Sequence, residues 1–152
     1  MNYWLLKTEP AECSIDDLAA QPTKPVVWEG VRNYQARNFL RQMHEGDEVL
    51  VYHSSCKLIG VAGTARISRS VYPDPAQFDP ESPYFDSKSS RDSPRWDAVD
   101  VKFVQKFSQL LSLDSIKASP ALEGLALVKK GNRLSVMPVS ASQWQSILEL
   151  VD

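Results

Sequence analysis

The chain predicts an α+β fold from three features of its sequence. Short β-branched and aromatic runs recur along its length, brief helical segments separate them, and the C-terminus closes on an amphipathic helix. At 152 residues, 43% hydrophobic and 24% charged, one domain spanning 1–152 accounts for the length and can bury a core. About five to six strands flanked by short helices suggest a small curved sheet or partly open barrel. The class follows from the pattern alone; the barrel does not.

Asn2 to Lys7 is apolar and aromatic, and Pro10 closes it, so it reads as a strand. Ser14 with Asp17 three residues on forms a capping-box pattern that opens a short helix to about Ala20. Gln21 to Pro25 ends it, and Val26 to Trp28 is extended. Asn33 is a candidate N-cap for a helix that begins at Tyr34, whose apolar residues Phe39, Leu40 and Met43 fall at helical intervals. Gly46-Asp47 turns the chain into an alternating strand, Glu48 to His53.

Leu58 to Ile67 is small and β-branched, and Gly60 and Gly63 allow close backbone approach. Tyr72 to Arg95 holds half of the ten prolines and reads as a long loop. Trp96 to Val104 alternates as a strand, one helix follows Ser112, and a second short one runs near Ala121 to Leu127. Gly131-Asn132 turns into a strand over Arg133 to Val139. Ser142 is the expected cap of the last helix, whose Trp144, Ile147, Leu148 and Val151 share one face.

Charge and cysteine usage narrow the function classes. A net charge of -2 argues against coating long stretches of nucleic acid, but leaves room for a pocket that takes one nucleotide. The segment Lys24 to His44 departs from the average, with Lys24, Arg32, Arg37 and Arg41 against Glu29 alone. Arg37 and Arg41 lie four apart on one helix face, either solvated or set against phosphate. Cys13 and Cys56 match no metal-ligand spacing and only two histidines accompany them, so no metal and no cofactor is expected. Lys7 and Glu9 break the first apolar run too early for a signal peptide, and no run approaches membrane-spanning length. A cytoplasmic location with free thiols is expected.

The segments YWLLKTEP, WEGVRNYQARNFLRQM, GDEVLVYHSS, IGVAG, VYPDPAQFD, SPYFD, PRWDAVDVKF and RLSVMPV together resemble the EVE domain family over nearly the whole chain. That family is PUA-like, so the resemblance implies a compact β-barrel flanked by helices, with the Pro-rich loop at about 72–95 as an insertion. A wider similarity to YTH domains, which read methylated adenine in RNA, rests on Val27-Trp28, Gly60 to Ala62 and Trp96 to Phe103. The resemblance implies a reader that takes a modified base of DNA or RNA into an aromatic pocket, with nucleic acid as partner and no membrane.

Such a pocket needs flat apolar walls to repay unstacking of the base, and polar groups to check its edge. Trp28 is the first candidate wall, though a core position suits it too; Tyr84, Phe85 or Trp96 is the opposite wall. Trp4 and Trp144 read as core. Lys7, Thr8 and Glu9 follow the first strand, and the YTH comparison sets them at the pocket. There Glu9 accepts an exocyclic amine or merely precedes a helix. Arg32 adds fixed charge, and Asn33 is a cap, at the pocket mouth or away from it. His53, Ser54 and Ser55 leave a strand where a PUA-like pocket opens, and Arg133 holds a phosphate or an exposed ion pair.

Two other classes compete. A nucleotide- or nucleic-acid-modifying hydrolase would draw on His53 and Cys56, but residues three apart at a strand end do not share a face, and no third group orients them. A protein-interaction module would use the loop Tyr72 to Arg95.

Overall fold

A computed structural model describes residues 1–151. Six strands, β1 (Tyr3–Thr8), β2 (Val26–Trp28), β3 (Glu48–His53), β4 (Gly60–Pro73), β5 (Asp97–Ser112) and β6 (Val136–Val139), form one mixed sheet in the order β2-β5-β4-β3-β1-β6. Four helices pack on it: α1 (Ile15–Ala20), α2 (Tyr34–Leu40), α3 (Leu113–Lys117) and α4 (Ala141–Leu150). The β1–β3 pair is parallel and every other ladder is antiparallel. The α+β class therefore holds. The closed barrel does not, because the ladder stops at β2 on one side and β6 on the other and these two strands do not pair.

The period-two alternation of β1 and β3 builds two cores, one on each face of the sheet. Trp4, Leu6, Val49 and Val51 point to the face covered by α1 and α2, where Ile15, Leu18, Ala36 and Leu40 meet them. Leu5 and Leu50 point to the other, covered by Ile116 of α3 and by Trp144 and Ile147 of α4. Trp4 and Trp144 are core residues, as their positions in sequence predict. The Trp4 indole N–H also donates to the buried carboxylate of Asp47 at 3.0 Å.

Local signals fix most of the element starts. Ser14 accepts from Asp17 N, and Asp17 in turn accepts from Ser14 N, a reciprocal capping box. Asn33 Oδ1 accepts from Ala36 N at 2.9 Å and caps α2. The cap of α4 is Ser140 rather than Ser142: its hydroxyl accepts from Gln143 N while Gln143 Oε1 accepts from Ser140 N. A glutamine stands three residues downstream of either serine, Gln143 or Gln145, so spacing does not choose between them; the reciprocal bonds form at Ser140, directly after β6 ends at Val139.

Strands β4 and β5 run longer than their apolar cores. Ser68 to Tyr72 is polar apart from Val71 yet still pairs with β5, through register shifts that break simple alternation. The glycines of β4 accommodate this crowding: a side chain at Gly60 would meet Leu111 O at 2.1 Å, and one at Gly63 would meet Gln105 O at 2.2 Å. Arg133 to Ser135 stays outside β6. The short helix near Ala121 resolves into two single 3-10 turns, Pro120–Leu122 and Ala126–Val128.

The Pro-rich insertion is a folded strap. Its anchor is Gln77, fully buried, whose amide donates to Asp74 O and Trp96 O and accepts from Trp96 N. Asp74, also fully buried, accepts from Gly30 N at 2.8 Å and Arg32 Nη1 at 2.9 Å, tying the strap to the loop after β2.

Candidate functional site

Because β1 and β3 are parallel, both end on the same side of the sheet, and β6 begins there. The backbone continues this junction past the strands, with Ser54 N donating to Thr8 O at 2.9 Å and Lys7 N to Ser135 O at 2.8 Å. The sheet curls far enough to bring Trp28, at the end of the edge strand β2, across to this junction. The result is a cleft of about 460 Å³. Such a volume lies in the ~300–1,000 Å³ range of small-ligand sites. Its walls are Lys7, Thr8 and Glu9 from β1 and its exit, Ser54 and Ser55 after β3, and Arg133 before β6, with Trp28 between them.

Trp28 belongs to both the core and the cleft. It is 7% exposed and packs within the cluster that holds Val31 and Val136. Its indole N–H nevertheless meets no acceptor among the described residues and is not sealed from solvent. Trp4 and Trp96, by contrast, spend theirs on Asp47 and Asp86. A tryptophan that presents an unspent donor to an open cleft can stack on a ligand and bond it.

The polar rim carries both signs. Lys7 sits over the Tyr52 ring at 5.7 Å, and burial pushes its pKa down. Arg133 has no carboxylate partner among the described residues, which leaves its guanidinium available. Opposite stand Glu9 and Glu12. Glu12, which the sequence did not single out, accepts a hydrogen bond from the Tyr84 phenol at 2.6 Å. That bond, with burial and the Glu12 charge, pushes the Tyr84 pKa up to about 12. The other unforeseen wall residues are Asn132 and Ser135. Ser55 adopts φ 54°, a left-handed conformation that costs an L-residue energy and here turns the chain out along the cleft.

Five residues of interest are engaged elsewhere. Arg32 is held by Asp74 and by Tyr84 O, at 2.9 and 2.7 Å, so its charge is neutralised inside the strap anchor. Tyr84 covers Gly30 and reaches the cleft only through Glu12. Trp96 is buried, stacks on Tyr34 at 4.7 Å between ring centroids and donates to Asp86 at 2.8 Å. His53 is buried; its Nε2 accepts from Ile15 N at 3.1 Å, and burial pushes its pKa down, so it is a neutral ring capping α1. Asn33 caps α2 and lines a neighbouring depression. The other two arginines of this stretch are likewise engaged: Arg37 donates to Arg95 O at 2.8 Å, and Arg41, just after α2, pairs with Asp97 at 2.6 Å.

No catalytic dyad forms from His53 and Cys56. The one imidazole nitrogen that could act as base accepts a backbone N–H, and the Cys56 thiol donates to Leu58 O at 3.3 Å. Burial and the charges of Asp17 and Glu12 push the Cys13 thiol up, away from the reactive thiolate. Among the described residues, no cluster of three or more His, Cys, Asp or Glu could hold a metal ion, and no helix is long and apolar enough to cross a membrane. A slightly larger cleft of about 470 Å³ lies between Pro22 and Lys102. Its ring is Phe103 and its arginine, Arg66, is spent on Glu48 at 2.7 Å.

A sequence model of the EVE domain matches residues 2–150. The chain belongs to the EVE domain family. Thymocyte nuclear protein 1 of Rattus norvegicus is 40% identical over 166 residues, covering 98% of this EVE chain and 73% of the relative. Among solved structures, a Pseudomonas syringae protein superposes with a TM-score of 0.96 at 51% identity, covering 99% of each chain. The human THYN1 protein, in complex with 5-methylcytosine containing DNA, superposes with a TM-score of 0.94 at 37% identity, covering 100% of this EVE chain and 98% of the other.

Proposed function

We propose that this protein is a nucleic-acid-binding reader, and that its cleft accommodates one modified base of DNA or RNA. The observation that carries the reading is Trp28, set at a cleft with its indole N–H unspent, beside two carboxylates and two cations that have no carboxylate partner among the described residues. A base drawn from its stack loses a few kcal/mol. Stacking on an indole returns ~1–3 kcal/mol per base. Glu9 and Glu12 accept from an exocyclic amine, an edge that cytosine and adenine have and thymine lacks. Lys7 and Arg133 neutralise the adjoining phosphates. Among modified bases, 5-methylcytosine in DNA is the first to test, because the human THYN1 protein was solved in complex with DNA containing it. The reader needs no general base or nucleophile, in keeping with the positions of His53 and Cys56.

The test is a tryptophan-fluorescence titration with 5-methyl-2′-deoxycytidine, cytidine and thymidine as ligands. Native protein should bind the methylated cytosine nucleoside best and thymidine least. Trp28→Leu, kept folded by its apolar side chain, should weaken binding roughly 5- to 150-fold, which is the stacking energy expressed as a ratio. Arg133→Gln, at an exposed residue, should leave nucleoside affinity unchanged, because a nucleoside carries no phosphate. Equal affinity for native and Trp28→Leu protein, both folded by circular dichroism, would refute the reading.

A further inference from the structure

The arginines on and just after α2 are the obvious place to seek a nucleic-acid track, yet Arg41 is paired with Asp97, and Arg37, though without a carboxylate partner among the described residues, is tied to Arg95 O. Uncompensated charge also lies elsewhere. On the other side of Arg133 lies a second depression of about 440 Å³, lined by Asn33 and Gln35 of the α2 start and by Lys130 to Leu134. The two hollows share Asn132 and Arg133 and so adjoin. No Asp or Glu lines the second hollow, and neither Lys130 nor Arg133 has a carboxylate partner among the described residues.

The turn that carries these cations is held rigid from behind. Gly131 takes φ 81°, and the Asn132 side chain donates to Ala126 O at 2.7 Å and accepts from Leu134 N at 2.8 Å. Asn132 is thus spent on the turn itself, while Lys130 and Gln35 face the hollow with free polar ends. A rigid, acid-free hollow next to a base-sized cleft matches the chemistry of a phosphodiester.

We infer that this second hollow seats the sugar-phosphate link to the nucleotide next to the one in the cleft, with Lys130 and Gln35 as its contacts. The inference rests on the base-reading role of the cleft and adds the direction in which the strand leaves it. The strand runs from Trp28 past Arg133 toward the start of α2. Phosphate contacts of this kind raise affinity without reading sequence. They are also released by salt.

The experiment compares two ligands, the free nucleoside 5-methyl-2′-deoxycytidine and a short single-stranded DNA with one central 5-methylcytosine, on native, Lys130→Gln and Lys117→Gln protein. Lys117 is exposed and lines neither hollow. Lys130→Gln should leave nucleoside affinity unchanged and weaken the oligonucleotide roughly fivefold, the upper range for one exposed charge pair. It should also reduce the slope of log K against log salt by about 0.7, one phosphate contact on a single strand. Lys117→Gln should change neither. Superimposable oligonucleotide curves and slopes for native and Lys130→Gln protein, with nucleoside binding intact, would overturn the inferred track alone. Failure of native protein to bind the nucleoside would overturn the cleft reading and the track together.

Discussion

Gly30→Ala tests whether the strap is pressed onto the loop that follows Trp28. Gly30 sits at φ 87°, and a methyl group there would lie 2.7 Å from the Tyr84 ring. Gly46 offers a built-in control, since it has φ 93° but nothing within 4 Å of the same added carbon. At either site alanine suffers the left-handed penalty of about 1–2 kcal/mol. Only Gly30→Ala adds an overpacking cost of about 1–3 kcal/mol, because Tyr84 is pinned by Arg32 at its carbonyl and by Glu12 at its hydroxyl. In a chain of this size each kcal/mol moves Tm by about 2–4 °C. Gly46→Ala should therefore melt about 2–8 °C below native and Gly30→Ala about 4–20 °C below. Differential scanning calorimetry of both variants measures the gap. Equal losses would show that Tyr84 does not bear on Gly30 and that the strap is not pressed onto this loop.

Three further outcomes follow from individual groups. Burial opposes the charge on Asp47, but hydrogen bonds from the Trp4 indole, His44 N and Asn2 N outweigh it and hold its pKa below the usual carboxylate value. Its stabilising effect is complete above the unfolded aspartate pKa of about 3.9 and fades as pH falls through the lowered native value. Asp47→Asn should lower Tm at neutral pH and flatten its fall in acid; an unchanged acid limb in pH-dependent melting would contradict this. Ser55→Gly relieves the positive φ and should raise Tm by about 1–3 °C, while Ser55→Val should lower it; a gain with valine would exclude strain at this turn. Tyr84→Phe removes only the bond to exposed Glu12, so Tm should move by about 2 °C or less while nucleoside affinity falls roughly two- to fivefold. Unaltered affinity would remove Glu12 from the set that reads the base.

Much of the scaffold was legible because its signals are local. The capping serine at position 14, the Asn33 cap and the alternation of Glu48 to His53 need only neighbours in sequence to be read. The convergence of Lys7, Thr8, Glu9, Trp28, Ser54 and Ser55 on one cleft was expected from family resemblance, since no spacing rule joins segments that far apart, whereas Arg133 was singled out by its charge alone. What stayed hidden was long-range. The pairing of Arg32 with Asp74 and of Arg41 with Asp97 is set by the path of the strap, and it ties up two of the cations of an apparent recognition face. His53 looked available because its acceptor role depends on α1 docking against the end of β3. Glu12 gives no signal alone; only the Tyr84 phenol marks it. Barrel closure was equally beyond reach, because it depends on whether β2 and β6 meet, and neither strand encodes that.

A crystal structure of this protein with a DNA strand containing 5-methylcytosine tests the central claim most directly. The modified base should lie against the Trp28 indole, its amine toward Glu9 and Glu12 and its phosphates toward Lys7 and Arg133. A base seated instead between Pro22 and Lys102, or DNA bound along α2 with the Trp28 cleft empty, would contradict it.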